Sequence, residues 1–141
     1  MKWKRFALTV LVVFVAALAW NGFVHGVLLK DANLALVAFA RPAAERSAPL
    51  GLALTGGLAA LFVYSYAAFV RTPGVLRALG HGLFFALLAG LLVDLNQYLL
   101  YPLPASLAAL WFAAGTVEFC LYALLAAWLY PIAVLPVRDA P

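Results

Sequence analysis

Residues 6–29, FALTVLVVFVAALAWNGFVHGVLL, form a continuous run without Asp, Glu, Lys or Arg. At about 1.5 Å per residue, a helix over this run is about 36 Å long and crosses a hydrocarbon core about 30 Å thick. Three more apolar stretches follow, over residues 50–70, 75–101 and 106–130. The sequence therefore predicts four membrane-spanning helices, with an outer loop over residues 30–49 as the longest connection.

The composition of the whole chain agrees with this prediction. Of its 141 residues, 68% are apolar and 10% are charged, whereas a soluble domain is about half apolar and about a quarter charged. Four spans use almost the whole length, which leaves no room for a soluble catalytic domain, a nucleotide-binding domain or a nucleic-acid-binding module. We expect an all-α integral membrane four-helix bundle, one transmembrane domain over residues 1–141.

The basic residues predict the orientation of the chain. Six of the nine Lys and Arg fall at the N-terminus, in the second connection and in the C-terminal tail, while three lie in the first connection and none in the third. Cytoplasmic loops carry the excess of Lys and Arg, so both termini are expected in the cytoplasm and the chain in the inner membrane. The net charge of +4 fits anionic lipid headgroups and predicts no nucleic-acid partner.

Two local features outside the spans are also predicted. The first connection contains Leu34, Leu36, Val37 and Phe39, which favours a short helix on the membrane surface over residues 33–40, ended by Pro42. Ser106, at the start of the fourth span, is of a type that caps helices.

Polar side chains inside the spans are the main guide to function. The candidates are Asn21 and His25 in the first span, His81, Asp94, Asn96 and Gln97 in the third, and Glu118 in the fourth. His81 lies near the cytoplasmic end of its helix, too far away to join the others. Asn21 and His25 would lie about 12 and about 6 Å from the outer end of the first helix. Asp94 would lie about 10 Å from the outer end of the third helix, and Glu118 about 18 Å into the fourth. The spacings of three and four residues place these side chains on shared helix faces. We therefore predict one buried polar cluster in the outer half.

The chemistry of this cluster stays open at the level of sequence. His25, Asp94 and Glu118 either satisfy one another in a structural network or form a site for a ligand, an ion or a proton. They are scattered over three helices with only one histidine, so no metal site is predicted. A bis-histidine haem would need His25 and His81 at one level of the bundle, which their positions exclude within one chain.

Signals for catalysis are weak. Ser65 and Ser106 have no evident base beside them, and Cys120, the single cysteine, excludes an intrachain disulfide. We predict no catalytic residue and no cofactor, while haem, quinone or lipid stay open as ligands of the polar cluster.

Small residues predict close helix packing. Gly22 and Gly26 form a GxxxG pattern, and Gly82 and Gly90 lie on a ridge of small residues in the third span. In lipid, such residues allow helix backbones to approach each other closely.

One family resembles this chain over most of its length. The likeness rests on Trp20-Asn21-x-x-x-His25-Gly26-Val27-Leu28-Leu29, on Arg41-Pro42, on the glycine-rich third span, on Tyr101-Pro102-Leu103-Pro104, on Trp111-Phe112 and on Glu118. The family consists of small, uncharacterised, four-span bacterial inner-membrane proteins, in which an acidic residue often stands at the position of Asn21. The resemblance implies a fold and a membrane but no activity.

Two functions follow as expectations. The first is a non-catalytic accessory or structural subunit of a larger membrane protein complex, in contact with other membrane subunits or with copies of itself. The alternative is a small oligomeric transporter or ion channel that uses His25, Asp94 and Glu118. The direction of the two carboxyl groups discriminates between them, because carboxyls that face lipid would require a partner subunit.

Overall fold

The computed structural model describes residues 2–37 and 40–132. All regular structure within these residues is helical, and four helical spans are long and apolar enough to cross a membrane: Trp3–Leu28, Ala48–Phe69, Val75–Leu100 and Ala105–Leu129. The predicted all-α, four-span membrane fold is confirmed. The ends of the spans lie within three residues of the predicted positions.

Two of the spans are not α-helical throughout. The helices are α1 (Trp3–Phe23), α2 (Ala48–Phe69), α3 (Val75–Ala89), α4 (Leu95–Leu100) and α5 (Ala105–Leu129). A π-helical turn, Val24–Leu28, extends α1, and a second one, Gly90–Asp94, joins α3 to α4. In both turns an amide donates to the carbonyl five residues earlier, Leu29 to Val24 at 2.7 Å and Leu95 to Gly90. Each turn therefore inserts one residue into its helix and rotates the residues beyond it.

The connections differ in part from the predictions. The first connection contains two 3₁₀ turns, Ala32–Leu36 and Ala43–Glu45, so the helix predicted over residues 33–40 is only a 3₁₀ turn in its first half, and positions 38 and 39 lie outside the described residues. Ser106 does not cap a helix, because α5 already begins after Pro104, whose fixed φ suits a helix start. Ser47 is the capping serine instead: its Oγ accepts from the Leu50 amide at 3.3 Å. Residues 133–141 of the tail also lie outside the described part.

The hydrophobic core fills only one half of the bundle. It is formed by Val13, Ala17, Ala59, Phe62, Val63, Tyr66, Ala78, Phe85, Ala86, Phe119, Tyr122, Ala123 and Ala126. These residues lie in α1, in α3, and in the second halves of α2 and α5. We call this part of the bundle the proximal half. The distal half carries both π-helical turns and the first and third connections. It contains fewer buried apolar residues, namely Val24, Leu29, Leu103, Leu107 and Ala108.

Helix contacts around the bundle are uneven. α5 packs most extensively against α3 and then against α1, and α1 also packs against α2, whereas α2 and α3 contact each other only sparsely. The second and third spans therefore leave the weakest seam in the wall of the bundle.

The four predicted packing glycines have different surroundings. A Cβ atom on Gly82 would lie 2.6 Å from the carbonyl oxygen of Phe119, and one on Gly90 would overlap the ring of Phe112. A Cβ on Gly22 or Gly26 would meet nothing within 4 Å in the part of the chain that the structure describes. Within one chain, the GxxxG pattern thus makes no helix contact, because α1 turns its other faces toward α2 and α5.

Candidate functional site

The distal half of the bundle encloses a cavity of about 760 Å³. Side chains from all four spans line it, and Leu36 and Ala40 of the first connection close part of its mouth. Ala17, Phe119 and Tyr122 form its floor, where it meets the hydrophobic core. Pockets that bind small molecules in proteins typically measure about 300–1,000 Å³, so the space is large enough for an organic ligand.

Five of the polar residues singled out in the sequence line this cavity: Asn21, His25, Asp94, Gln97 and Glu118. Asn96 and His81 do not line it. The cluster is less buried than predicted, because Asn21 and His25 are exposed and the other three lining residues are half-buried. Helix geometry explains their convergence. Asn21 and His25 are four residues apart, and Asp94 and Gln97 are three apart, so each pair presents one face. The two carboxyl groups, of Asp94 and Glu118, both face the cavity. Carboxyl groups in this direction do not need a partner subunit to shield them from lipid.

Glu118 is held in a defined position by two donors. Asn21 Nδ2 donates to Glu118 Oε1 at 2.6 Å and to the carbonyl of Ala17 at 3.0 Å. The hydroxyl of Tyr122, one helical turn away, donates to the same Oε1 atom. Both donors therefore use one carboxyl oxygen, and Oε2 has no hydrogen-bond partner among the residues that the structure describes.

Asn33 is a component of the site that the sequence did not single out. Its Oδ1 accepts from Trp111 Nε1 at 3.3 Å, and its Nδ2 lies 3.2 Å from His25 Nδ1. One amide thus links the first connection to the first and fourth spans. Asn33 lies outside the spans, and no spacing rule relates it to His25 or Trp111, so no sequence signal could have identified it.

This link determines the tautomer of His25. The indole nitrogen of Trp111 is only a donor, so the atom of Asn33 that it contacts must be the carbonyl oxygen. The amide nitrogen of Asn33 then faces His25 and donates to Nδ1, which must be unprotonated to accept. In the tautomer that accepts this hydrogen bond the ring is neutral and carries its proton on Nε2. The same Asn33 Nδ2 also lies 3.4 Å from the carbonyl oxygen of His25.

Several polar groups at the cavity have unused hydrogen-bonding capacity. Asp94 and Gln97 make no side-chain hydrogen bond and no ion pair within residues 2–37 and 40–132, and Lys and Arg are missing from the lining. The buried indole nitrogen of Trp20, which also borders the cavity, has no acceptor in the described part of the chain. Buried polar groups in proteins are normally paired, so the Trp20 nitrogen favours a bound polar species. Asp94 and Gln97 are only half-buried and are accessible to such a species.

The ionisable residues do not form a metal cluster. Within the described ranges, no three His, Cys, Asp or Glu side chains come together as a set that could hold a metal ion. His81 lies in the core of the proximal half and does not line the cavity. The two histidines therefore lie in different halves of the bundle. A bis-histidine haem within one chain would need them at the same level.

Ser65 has a base beside it, contrary to the expectation from sequence. Its Oγ lies 3.2 Å from His81 Nε2, because α2 and α3 bring these residues together across sixteen positions of the chain. The Ser65 hydroxyl, however, donates to the carbonyl of Phe62 at 2.9 Å. The His81 ring is packed against Phe62 and Phe85, with centroids 5.0 and 5.1 Å away. Neither Ser65 nor His81 lines the distal cavity.

No family model, curated protein or solved structure matches the chain. The resemblance to four-span bacterial proteins therefore stays a prediction from the sequence. Function has to be argued from the geometry of the cavity alone.

Proposed function

We propose that this protein binds a small solute in the distal cavity and carries it through the membrane. One observation supports this above all others: a cavity of about 760 Å³ in a membrane bundle is lined by Asn21, His25, Asp94, Gln97 and Glu118 together. Ionisable residues within membrane spans are costly and usually mark a pathway or a binding site. The carrier function is the alternative to the accessory subunit that the sequence also suggests.

A purely structural network accounts for only part of the site. Asn21 and Glu118 satisfy each other, and His25 is paired with Asn33. Asp94 and Gln97 are not paired with any described residue, although a network that served stability alone would pair them. The unpaired groups lie on the third span beside the sparsely packed seam with α2, where a solute has room to enter.

The membrane and the orientation belong to the same proposal. The distribution of Lys and Arg favours cytoplasmic termini, and the resemblance favours a bacterial inner membrane. With that orientation the distal half, and with it the mouth of the cavity, faces the periplasm.

Thiol labelling tests whether the cavity is open to water from that side. In a Cys120→Ala background, Thr55→Cys places a thiol on the cavity lining, and Ala53→Cys places one at similar depth on an exposed face of α2 that does not line the cavity. Charged methanethiosulfonates react with the thiolate form of cysteine, which forms readily only where water reaches the side chain. We expect Thr55→Cys to react about tenfold faster than Ala53→Cys when the impermeant reagent is outside intact cells. Equal rates would contradict an aqueous cavity, and labelling only in inverted vesicles would reverse the orientation.

A second candidate function, a subunit of a larger assembly or of a homo-oligomer, is favoured by one observation. Gly22 and Gly26 are exposed and have no neighbour that a Cβ atom would meet, while small residues at this spacing commonly bring membrane helices together. If they do so here, Gly22→Ile should convert an oligomer to a monomer, as measured by light scattering of the detergent-solubilised protein. Gly57→Ile, at another open and exposed glycine, is the control. A monomer in both variants and in the parent chain would contradict a self-association through this face.

A further inference from the structure

We infer that the solute of the distal cavity is a lipophilic organic cation, an inference that rests on the proposed binding function. The ionisable groups of the lining favour a cation. Asp94 and Glu118 both line the cavity, and no Lys or Arg of the described residues lines it with them. The tautomer of His25 that accepts from Asn33 at Nδ1 is neutral and adds no compensating positive charge. The lining therefore presents carboxyl groups without a cationic partner.

The unused oxygens of the two carboxyl groups are acceptors, and the unused donors beside them, within the described part of the chain, are Trp20 Nε1 and the side-chain amide of Gln97. Glu118 has already received two donors on Oε1 and offers Oε2, while both oxygens of Asp94 are without a partner among the described residues. An ammonium group or a delocalised cation complements this arrangement, whereas a carboxylate or phosphate ligand would place its own acceptor oxygens against those of two acidic side chains. The carboxyl oxygens therefore select a cationic group on the ligand, while the two donors are left for an acceptor elsewhere on the same ligand.

Aromatic rings supply the remaining recognition. Trp20, Trp111, Phe119 and Tyr122 all contribute to the lining, and ring faces attract cations. Most of the other lining side chains are aliphatic, such as Leu54 and Val93. Such a surface fits a bulky apolar body around the charge, and it would not replace the hydration shell of a small inorganic cation.

The same features suggest the route by which the ligand reaches the site. Leu54 of the second span and Val93 of the third border the cavity and are both also exposed, at 66% and 48%. These two spans contact each other only sparsely. A lipophilic cation dissolved at the membrane surface would thus meet an apolar passage before it meets the carboxyl groups.

Binding of two isosteric ions of opposite charge tests the inference. Tetraphenylphosphonium and tetraphenylborate have closely similar size and shape, and each is titrated against the full chain in lipid nanodiscs, with empty nanodiscs as the baseline. We expect saturable binding of tetraphenylphosphonium only. Asp94→Asn and Glu118→Gln should each weaken it about tenfold, since either substitution removes one charge. Gln at position 118 can still accept from Asn21 and Tyr122, which keeps the fold intact, and Glu45→Gln in the exposed first connection is the matched control.

The possible outcomes separate the ligand class from the binding function. Saturable binding of tetraphenylborate, or tetraphenylphosphonium binding that is unchanged in both carboxyl variants, would overturn the cationic class. If neither ion binds and Thr55→Cys also fails to react with aqueous reagents, the binding function itself is wrong. If neither ion binds while Thr55→Cys reacts, the cavity is open and only the ligand class is overturned.

Discussion

Gly115→Trp is expected to fill the distal cavity and to abolish access to its floor. Gly115 lines the cavity on α5, between Trp111 near the mouth and Tyr122 at the floor. A Cβ atom at this position meets nothing within 4 Å, so a large side chain can extend into the empty space without displacing the backbone. The variant should therefore fold while losing the volume in which a solute would bind.

The reporter for this prediction is a thiol deep in the cavity. Ala89→Cys, at the end of α3 where it lines the cavity, reacts with an aqueous methanethiosulfonate in the Cys120→Ala background if water reaches the floor. We expect Gly115→Trp to slow this reaction by about tenfold or more. It should also remove tetraphenylphosphonium binding.

Gly57→Trp is the control for the added bulk. Gly57 lies exposed on α2, and a Cβ there also meets nothing within 4 Å, but it does not line the cavity. Its tryptophan should project away from the bundle and leave both measurements unchanged. Equal loss in the two variants would indicate a general effect of tryptophan, and an undiminished reaction in Gly115→Trp would show that the floor is reached by another route.

The fold was predictable because the bilayer restricts the alternatives so strongly. In a hydrocarbon core every backbone group must be satisfied within the segment, so an apolar run such as residues 6–29 becomes a spanning helix. Prolines near the ends of the runs, as in Tyr101-Pro102-Leu103-Pro104, fix the boundaries to within a few residues. The short connections do not have this constraint. There the predicted surface helix over residues 33–40 is a 3₁₀ turn in its described first half, and the predicted cap at Ser106 was wrong.

The membership of the polar cluster was also accessible from sequence, because depth and helix face are simple functions of residue number. Asn21 and Glu118 lie in different spans, yet the antiparallel order of the helices brings them to one level, where they form a hydrogen bond. What the cluster does could not be derived in this way. The answer depends on whether the helices close around the polar groups or leave a space between them.

Three features of the site depend on tertiary contacts that have no counterpart in sequence periodicity. The π-helical turns at Val24–Leu28 and Gly90–Asp94 shift the register within helices that read as regular. Asn33 reaches His25 and Trp111 from a connection. Ser65 meets His81 because α2 and α3 happen to touch there. Both π-helical turns contain a cavity-lining polar residue, His25 in one and Asp94 in the other, and π-helical turns are frequent at functional sites.

The division of the bundle into a packed half and an open half leads to the second large effect, on stability. A cavity in the distal half contributes little packing, so the contact of α3 with α5 in the proximal half must stabilise the bundle. That contact requires a glycine at position 82, where a Cβ atom would lie 2.6 Å from the Phe119 carbonyl oxygen and 3.0 Å from the Cβ of Ala123. The nearest atom belongs to the backbone, so relief requires the two helices to move apart.

Gly82→Ala should accordingly destabilise the protein by about 1–3 kcal/mol, the usual cost of overpacking, although alanine favours a helix over glycine by about 1 kcal/mol. Gly80 lies two residues earlier in α3, and a Cβ atom there would meet nothing within 4 Å. Gly80→Ala therefore changes only the helix propensity, and it should be neutral or stabilising. The two alanine variants thus differ in the expected sign of their effect, as measured by the midpoint of thermal unfolding in detergent. A midpoint for Gly82→Ala equal to that of Gly80→Ala would mean that α3 and α5 are not in the close contact on which the packed half depends.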